Sequence, residues 1–428
     1  MKIARTRPFG QNYAFVVVGV IFLSLLAAAG QRAAPSVLIQ PLEQAFGWSR
    51  DVISIAAALG IFLYGLMGPF AAALMQTFGL KRTLIAALLL MSAATAASSF
   101  MREPWQLILS WGVFSGLGSG CVAMVLGATV VNRWFASHRG LVMGVLTAST
   151  ATGTLIFLPG LAAIAEAAGW RGVVLTVAAC TGALAPIVLW LLPERPADIG
   201  VRPYGATEDA PAAGPHRHAL TVAFSALGHA VQFRDFWFLF ATFFICGFTT
   251  NGLVGTHLIS FCGDEGIPEV RAASLLALMG VFDLFGTTAS GWLTDRYDPR
   301  KLLFMYYGLR GLSLVALPYT DFSLGSLSVF AVFYGLDWIA TVPPTVKLTA
   351  DRFGRERAGM VFGWIFTGHQ IGAASAAIGA GIVRTEFSTY LPAFFVAGLL
   401  CIAAAFLAIS VRKSTPHFAV AAPAPAAG

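Results

Sequence analysis

About a dozen apolar stretches recur along these 428 residues, each long enough to cross a lipid bilayer. That repetition constrains the fold more than any motif does. A helix needs roughly 20 mostly apolar residues to cross about 30 Å of hydrocarbon, and it satisfies its own backbone polar groups on the way. The spans read as 14–38, 53–75, 83–100, 106–131, 141–164, 171–192, 236–261, 273–293, 301–317, 324–346, 358–383 and 389–411. A soluble core has no use for so many. The expected fold class is an all-α membrane protein of twelve transmembrane helices in two six-helix, pseudo-symmetric bundles.

Charge supports that class. Only 11% of residues are charged, against about 25% in soluble domains. The net charge of +7 is distributed by side: with the N-terminus inside, twenty of the 27 Lys and Arg fall on one face. The other face holds Arg50, Arg102, Arg171, Arg271 and Arg384. This is the positive-inside bias of a multi-pass inner-membrane protein with both termini cytoplasmic, so nucleic acid is not an expected partner. Five scattered cysteines show no metal spacing. No Walker loop or catalytic triad is present, so neither an enzyme nor an ATP-driven pump is expected, and no cofactor or metal.

The chain divides into an N-terminal bundle (1–192), a cytoplasmic linker (193–235), a C-terminal bundle (236–411) and a tail (412–428) that reads as disordered. The linker opens with Pro193-Glu194-Arg195-Pro196 and carries His216 and His218, which read as solvated rather than metal-binding. Its end, from Leu220 to Phe233, is mildly amphipathic and suits an interfacial helix. An offset of 219 residues relates Gly79 to Asp298, Asn132 to Asp351 and Gly144 to Gly363. One offset across loops and helix starts implies duplicated halves in parallel orientation.

The segment Gly291-x-x-x-Asp295-Arg296-x-Asp298-x-Arg300-Lys301 resembles the loop signature of the major facilitator superfamily, with Asp298 where that family usually has Gly. The equivalent first-half loop keeps Gly79, Lys81 and Arg82, but Gln76 and Thr77 stand where the acid and the base would be. Phe46-Gly47-Trp48-Ser49-Arg50, and the run from Trp134 to Leu141, are similar to elements of the monocarboxylate transporter branch and its bacterial relatives. The resemblance covers nearly the whole chain. It implies secondary active transport by alternating access, with Asp295, Arg296, Arg300, Arg133 and Arg352 as loop residues that latch or gate. Ser36 stands where the animal members have a first-helix lysine. Asp283 matches their eighth-helix aspartate, but Thr287 replaces the arginine four residues later.

Four charges lie inside spans: Arg32, Asp283, Arg310 and Asp337. Each costs about 2.5–3.5 kcal/mol at a helix centre on insertion scales, so each needs a partner or a wet cavity. Arg32, beside Gln31 and between Gly30 and Pro35, offers a planar fork matched to carboxylate, or else snorkels to headgroups. Asp283 and Arg310, one helix apart, form either a proton-loading pair or a fixed ion pair joining spans eight and nine. Asp337 precedes Pro343-Pro344, which should break the tenth helix. His369 and Gln370 are further candidates for the same cavity, and Asn251 and His257 of the seventh span are weaker ones.

The residues point to a carrier of a small organic anion, which the resemblance implies is a monocarboxylate, with Arg32, Gln31, Asp337, His369, Gln370 and Asn251 binding substrate. Asp283 and Arg310 would couple or gate, with a proton as the expected co-substrate and the lipid bilayer as the environment. Two alternatives stay open: an exporter of amphipathic or drug-like compounds, and a membrane sensor that binds without translocating.

Overall fold

The computed structural model describes residues 10–206 and 219–412. The expectations for His216, His218 and the tail beyond residue 412 lie outside them. Among the described residues the structure is helical, with one isolated bridge between Phe135 and Tyr204. Twelve helices correspond to the twelve spans. In the first half they are α1 (Tyr13–Phe46), α2 (Arg50–Thr77), α3 (Leu80–Ala97), α4 (Pro104–Trp134), α5 (139–168) and α6 (170–191). In the second they are α7 (Arg234–Asp264), α8 (Glu269–Arg296), α9 (Pro299–Ala316), α10 (Gly325–Phe353), α11 (Arg355–Phe387) and α12 (Leu391–Ile409). A short helix, Ala219–Ala230, precedes α7 where the amphipathic stretch was expected.

The helix boundaries follow from local chemistry. Gly47 takes φ 68°, a left-handed conformation that only glycine adopts freely, and its N–H caps the Glu43 carbonyl. Gly169 (φ 68°) breaks an otherwise continuous helix into α5 and α6. Asp298 caps α9, its side chain accepting from the Arg300 N–H at 3.1 Å. That cap gives the departure from the signature glycine a physical role.

Several spans are irregular inside. A π-helical stretch covers Ile108–Ser115 in α4, and another covers Phe248–Val254 in α7. Helix α4 also breaks at Val122 and Ala123, and α10 breaks between Asp337 and Val342, just ahead of Pro343 and Pro344. The 219-residue offset carries Val122 onto Thr341, so the break in α10 repeats the break in α4. The internal repeat is thus visible in backbone geometry as well as in loop residues.

The apolar core is asymmetric between the two membrane faces. One buried cluster belongs to the first half alone, running through Tyr13, Val17, Ile21, Ala71, Leu84, Leu146 and Val188. These residues lie toward the linker side. A second cluster joins the halves, combining Val37, Leu42, Ile53, Trp111 and Trp170 with most of the second half's core. Its first-half members all lie toward the far side, opposite the linker. The halves share a continuous core at the far side.

Candidate functional site

The break in α10 is where most intramembrane charge gathers. Unwinding residues 338–341 frees backbone groups that hydrocarbon cannot satisfy. Arg310, fully buried on α9, donates through Nη2 to the carbonyl oxygens of Asp337 and of Trp338, the latter at 3.2 Å. Its Nε donates to the Asp337 carboxylate at 2.6 Å, and its Nη1 to the Cys246 sulfur at 3.2 Å. From α8, Asp283 Oδ1 accepts from the Ile339 N–H at 2.9 Å and from the Thr287 hydroxyl at 2.9 Å. Ser290 donates to the Ala340 carbonyl at 2.5 Å. The backbone of residues 337–340 is thereby held, one residue after another, by side chains from α8 and α9.

This arrangement resolves one pairing. Arg310 bonds to Asp337, joining α9 to α10, and Asp283 bonds to backbone and to Thr287. Thr287, the residue in place of a family arginine, is a ligand of Asp283 rather than a gap. Among the described residues, the buried Asp337 Oδ1 and His369 Nδ1 near the break meet no hydrogen-bond partner. His369 sits beside Cys246 and stacks on Phe366, ring centroids 5.6 Å apart. Gln370 packs its side chain against Gly65 of α2, where a methyl group would not fit.

The first half offers a different site. Gln31 is buried and donates to Thr95 at 2.9 Å and Ser115 at 2.7 Å, while its Oε1 has no partner among the described residues. The neighbouring Arg32 is half-buried, its guanidinium carbon 4.7 Å from the centroid of the Tyr64 ring. Among the described residues its buried Nη1 meets no hydrogen-bond acceptor. Among the described residues Arg32 also meets no carboxylate, unlike Arg310. Asn251 is half-buried on α7, its carbonyl accepting from Thr256 at 2.8 Å. His257 is fully buried between the Tyr390 hydroxyl at 3.1 Å and the Ala377 carbonyl at 2.8 Å, a satisfied core histidine.

The loop residues fall into three clamps on the linker side. Arg133 at the end of α4 pairs with Glu194 at 2.6 Å. Glu194 also accepts from the N–H groups of Leu80 at 2.6 Å and Lys81 at 2.9 Å, at the start of α3. Burial pushes its carboxyl up, but these two amides and Arg133 outweigh that and hold it below the ordinary glutamate value. Arg352 at the end of α10 pairs with Asp235 at the start of α7. Arg300 pairs with Asp298 at 2.6 Å and donates to the Val411 carbonyl at 3.1 Å. Asp295 and Arg296 are exposed, and Arg296 lies over the Trp292 ring at 4.0 Å.

The contacts of two charged groups escaped the sequence. Glu194 belongs to a Pro-rich segment that reads as linker, and nothing local says that it serves α3 from 114 residues away. Arg50 carries a four-charge network across the halves, described below.

Known proteins place this architecture. A family model described as Major Facilitator Superfamily matches residues 20–377. The chain is 24% identical over 367 residues to the MFS-type transporter YcxA of Bacillus subtilis (strain 168), covering 82% of this chain and 83% of that protein. It is 26% identical to monocarboxylate transporter 13 of Rattus norvegicus, covering 97% of this chain and 91% of the relative. Among solved structures, an inward-facing bacterial homolog of the human lysosomal transporter Spinster superposes with a TM-score of 0.75 at 15% identity, covering 93% of this chain and 97% of that one. Twelve spans, an internal repeat and a family match over most of the length agree: this chain is a multi-pass membrane protein and belongs to the major facilitator superfamily.

Proposed function

We propose that this protein is a secondary transporter that carries a small organic anion, such as a monocarboxylate, by alternating access between its two bundles. The observation that carries the reading is Arg32. A half-buried guanidinium inside a span, whose buried Nη1 meets no partner among the described residues, favours an anion, because an unpaired charge at that depth is costly. Its planar donors match a carboxylate in two-point contact. Tyr64 holds the cation from one face. Gln31, anchored to Thr95 and Ser115, fixes the adjoining turn of α1. Relatives named as monocarboxylate transporters support the substrate class.

Proton coupling belongs to the same proposal, with Asp337, Asp283 and His369 as the carriers. Asp337 is only 7% exposed, yet one of its carboxylate oxygens meets no partner among the described residues. Asn251 and Gln370 complete the site from the second half. Asp295, Arg296, Arg300, Arg133 and Arg352 serve as latches on the linker side. The membrane is the inner one, with both termini in the cytoplasm, as the charge bias supports.

The test is ligand stabilisation of purified protein against a panel of monocarboxylates, followed by uptake into proteoliposomes. Arg32→Ala is expected to abolish both responses while leaving unliganded thermal stability intact. Undiminished uptake by that variant rejects the anion-binding role. Uptake indifferent to an imposed pH gradient rejects proton coupling.

A further inference from the structure

The far side of the molecule is closed by charge as well as by apolar packing. Arg50, at the start of α2, donates to both oxygens of Asp264 at the end of α7, at 2.8 and 2.9 Å. It also donates to Glu43 of α1 at 2.8 Å and to the Tyr390 hydroxyl at 3.3 Å. Asp264 receives a second arginine, Arg384 of α11, at 2.7 and 3.2 Å. Alongside, Thr385 donates to Asp51 at 3.3 Å and Gln40 to the Ser260 carbonyl at 3.3 Å. Arg50 is 6% exposed, so the cation at the centre of this network is shielded from water, while Asp264 is 19% and Glu43 38% exposed.

The order of charges is the informative point. The chain runs Glu43, Arg50, Asp264, Arg384, alternating in sign. The first two belong to the first bundle and the last two to the second. The bond that crosses between bundles is the middle one. If the bundles part here, Arg50 keeps Glu43 and Asp264 keeps Arg384. No charge is stranded in a poorly solvated cleft, which is the event that makes breaking a buried pair so costly.

We infer that Glu43, Arg50, Asp264 and Arg384 form the far-side gate of this transporter, built to break reversibly at the Arg50–Asp264 link. The turn that mounts it is Phe46-Gly47-Trp48-Ser49. Gly47 ends α1, Phe46 stacks on Trp48 with centroids 4.3 Å apart, and Arg50 is thereby set at the start of α2 facing α7. Arg50 and Asp264 favour the closed state. Glu43 and Arg384 favour the open state, because they are what the crossing pair falls back on. The inference uses the two-bundle transporter reading and does not depend on the substrate or on Arg32.

The opposed signs make the test. Ser54 is buried one turn along from Arg50 and lies against Gly381 of α11, so a cysteine there reports opening of the far side. The reaction rate of Ser54→Cys with a bulky maleimide is measured in lipid nanodiscs, against the parent protein with its five native cysteines. Asp264→Asn and Arg50→Gln are expected to raise the rate about tenfold, within the usual range of coupling between sites. Glu43→Gln and Arg384→Gln are expected to lower it. A generally loosened fold would raise it in all four. The gate is overturned if all four variants move the rate the same way, or if Asp264→Asn leaves it unchanged. This readout needs no ligand, so its failure is separable from failure of the anion-binding proposal.

Discussion

Arg310 donates to the carbonyl oxygens of Asp337 and Trp338 at the point where α10 unwinds, while its Nε holds the Asp337 carboxylate at 2.6 Å. One guanidinium thus stands in for the helical N–H donors that the Asp337 and Trp338 carbonyls lose at the break. A charge inside the membrane here serves the backbone as much as any solute, and it accounts for how a broken helix persists at this depth.

Replacing Arg310 with Met leaves Asp337 buried and unpaired and orphans two carbonyls. Loss of one partner of a buried pair costs about 3–5 kcal/mol. Arg310→Lys should recover little, since a single ammonium cannot span a carboxylate and two carbonyls at once. Denaturant unfolding in mild detergent measures both. Near-native stability of the lysine variant would show that the forked geometry is unimportant.

Asp283 gives a sharper contrast. Its Oδ1 accepts from the Ile339 amide and the Thr287 hydroxyl, and asparagine keeps that oxygen. Asp283→Asn should therefore stay within about 1 kcal/mol of the parent, whereas Asp283→Ala strands a buried amide and loses about 1–3 kcal/mol. Transport assayed in parallel separates two roles. If Asp283→Asn keeps its stability and loses proton-driven uptake, the carboxyl titrates during transport. If it keeps both, Asp283 is a backbone ligand only.

These details mark where the sequence stopped being legible. Apolar length and charge asymmetry are one-dimensional signals, so the twelve spans and the duplicated halves could be read directly. Pro343 and Pro344 announced a break in α10 because proline removes a donor. Partner choice is three-dimensional. Asp283 lies one span from Arg310 in the chain, yet Arg310 reaches onward to Asp337 on α10. Gln76 reads as a missing signature acid, but Glu194 supplies a carboxylate to the same helix start from beyond α6. The π-helical stretches at Ile108–Ser115 and Phe248–Val254 leave no periodicity strong enough to find. Arg50 sits within a recognised motif, and only packing against α7 and α11 shows what it does.

Tyr64 provides a test of Arg32 that leaves the cation in place. The ring lies 4.7 Å beneath the guanidinium, a geometry worth about 0.5–2 kcal/mol. Tyr64→Leu should weaken binding of a monocarboxylate about 2–30-fold, and Tyr64→Phe should change it little because the ring face remains. Equilibrium binding by calorimetry distinguishes them. Equal losses in both variants would point to the hydroxyl instead of the ring.

Glu194 carries a pH signature on the linker side. Burial raises its carboxyl, but the Leu80 and Lys81 amides and Arg133 depress it further than burial lifts it, so the folded value lies below the unfolded 4.5. The sign follows from linkage. A depressed carboxyl contributes its stability above the unfolded value and loses it as pH falls through the folded one. Glu194→Gln removes the titration and weakens the clamp on α3 and Arg133. At neutral pH the parent should therefore be the more stable of the two. Their unfolding midpoints should converge as pH drops below 4.5, where the parent's carboxyl gains its proton. Melting curves in detergent from neutral pH into that acid range give the comparison. A gap of constant size across the range would mean that Glu194 acts through packing, with its charge contributing nothing.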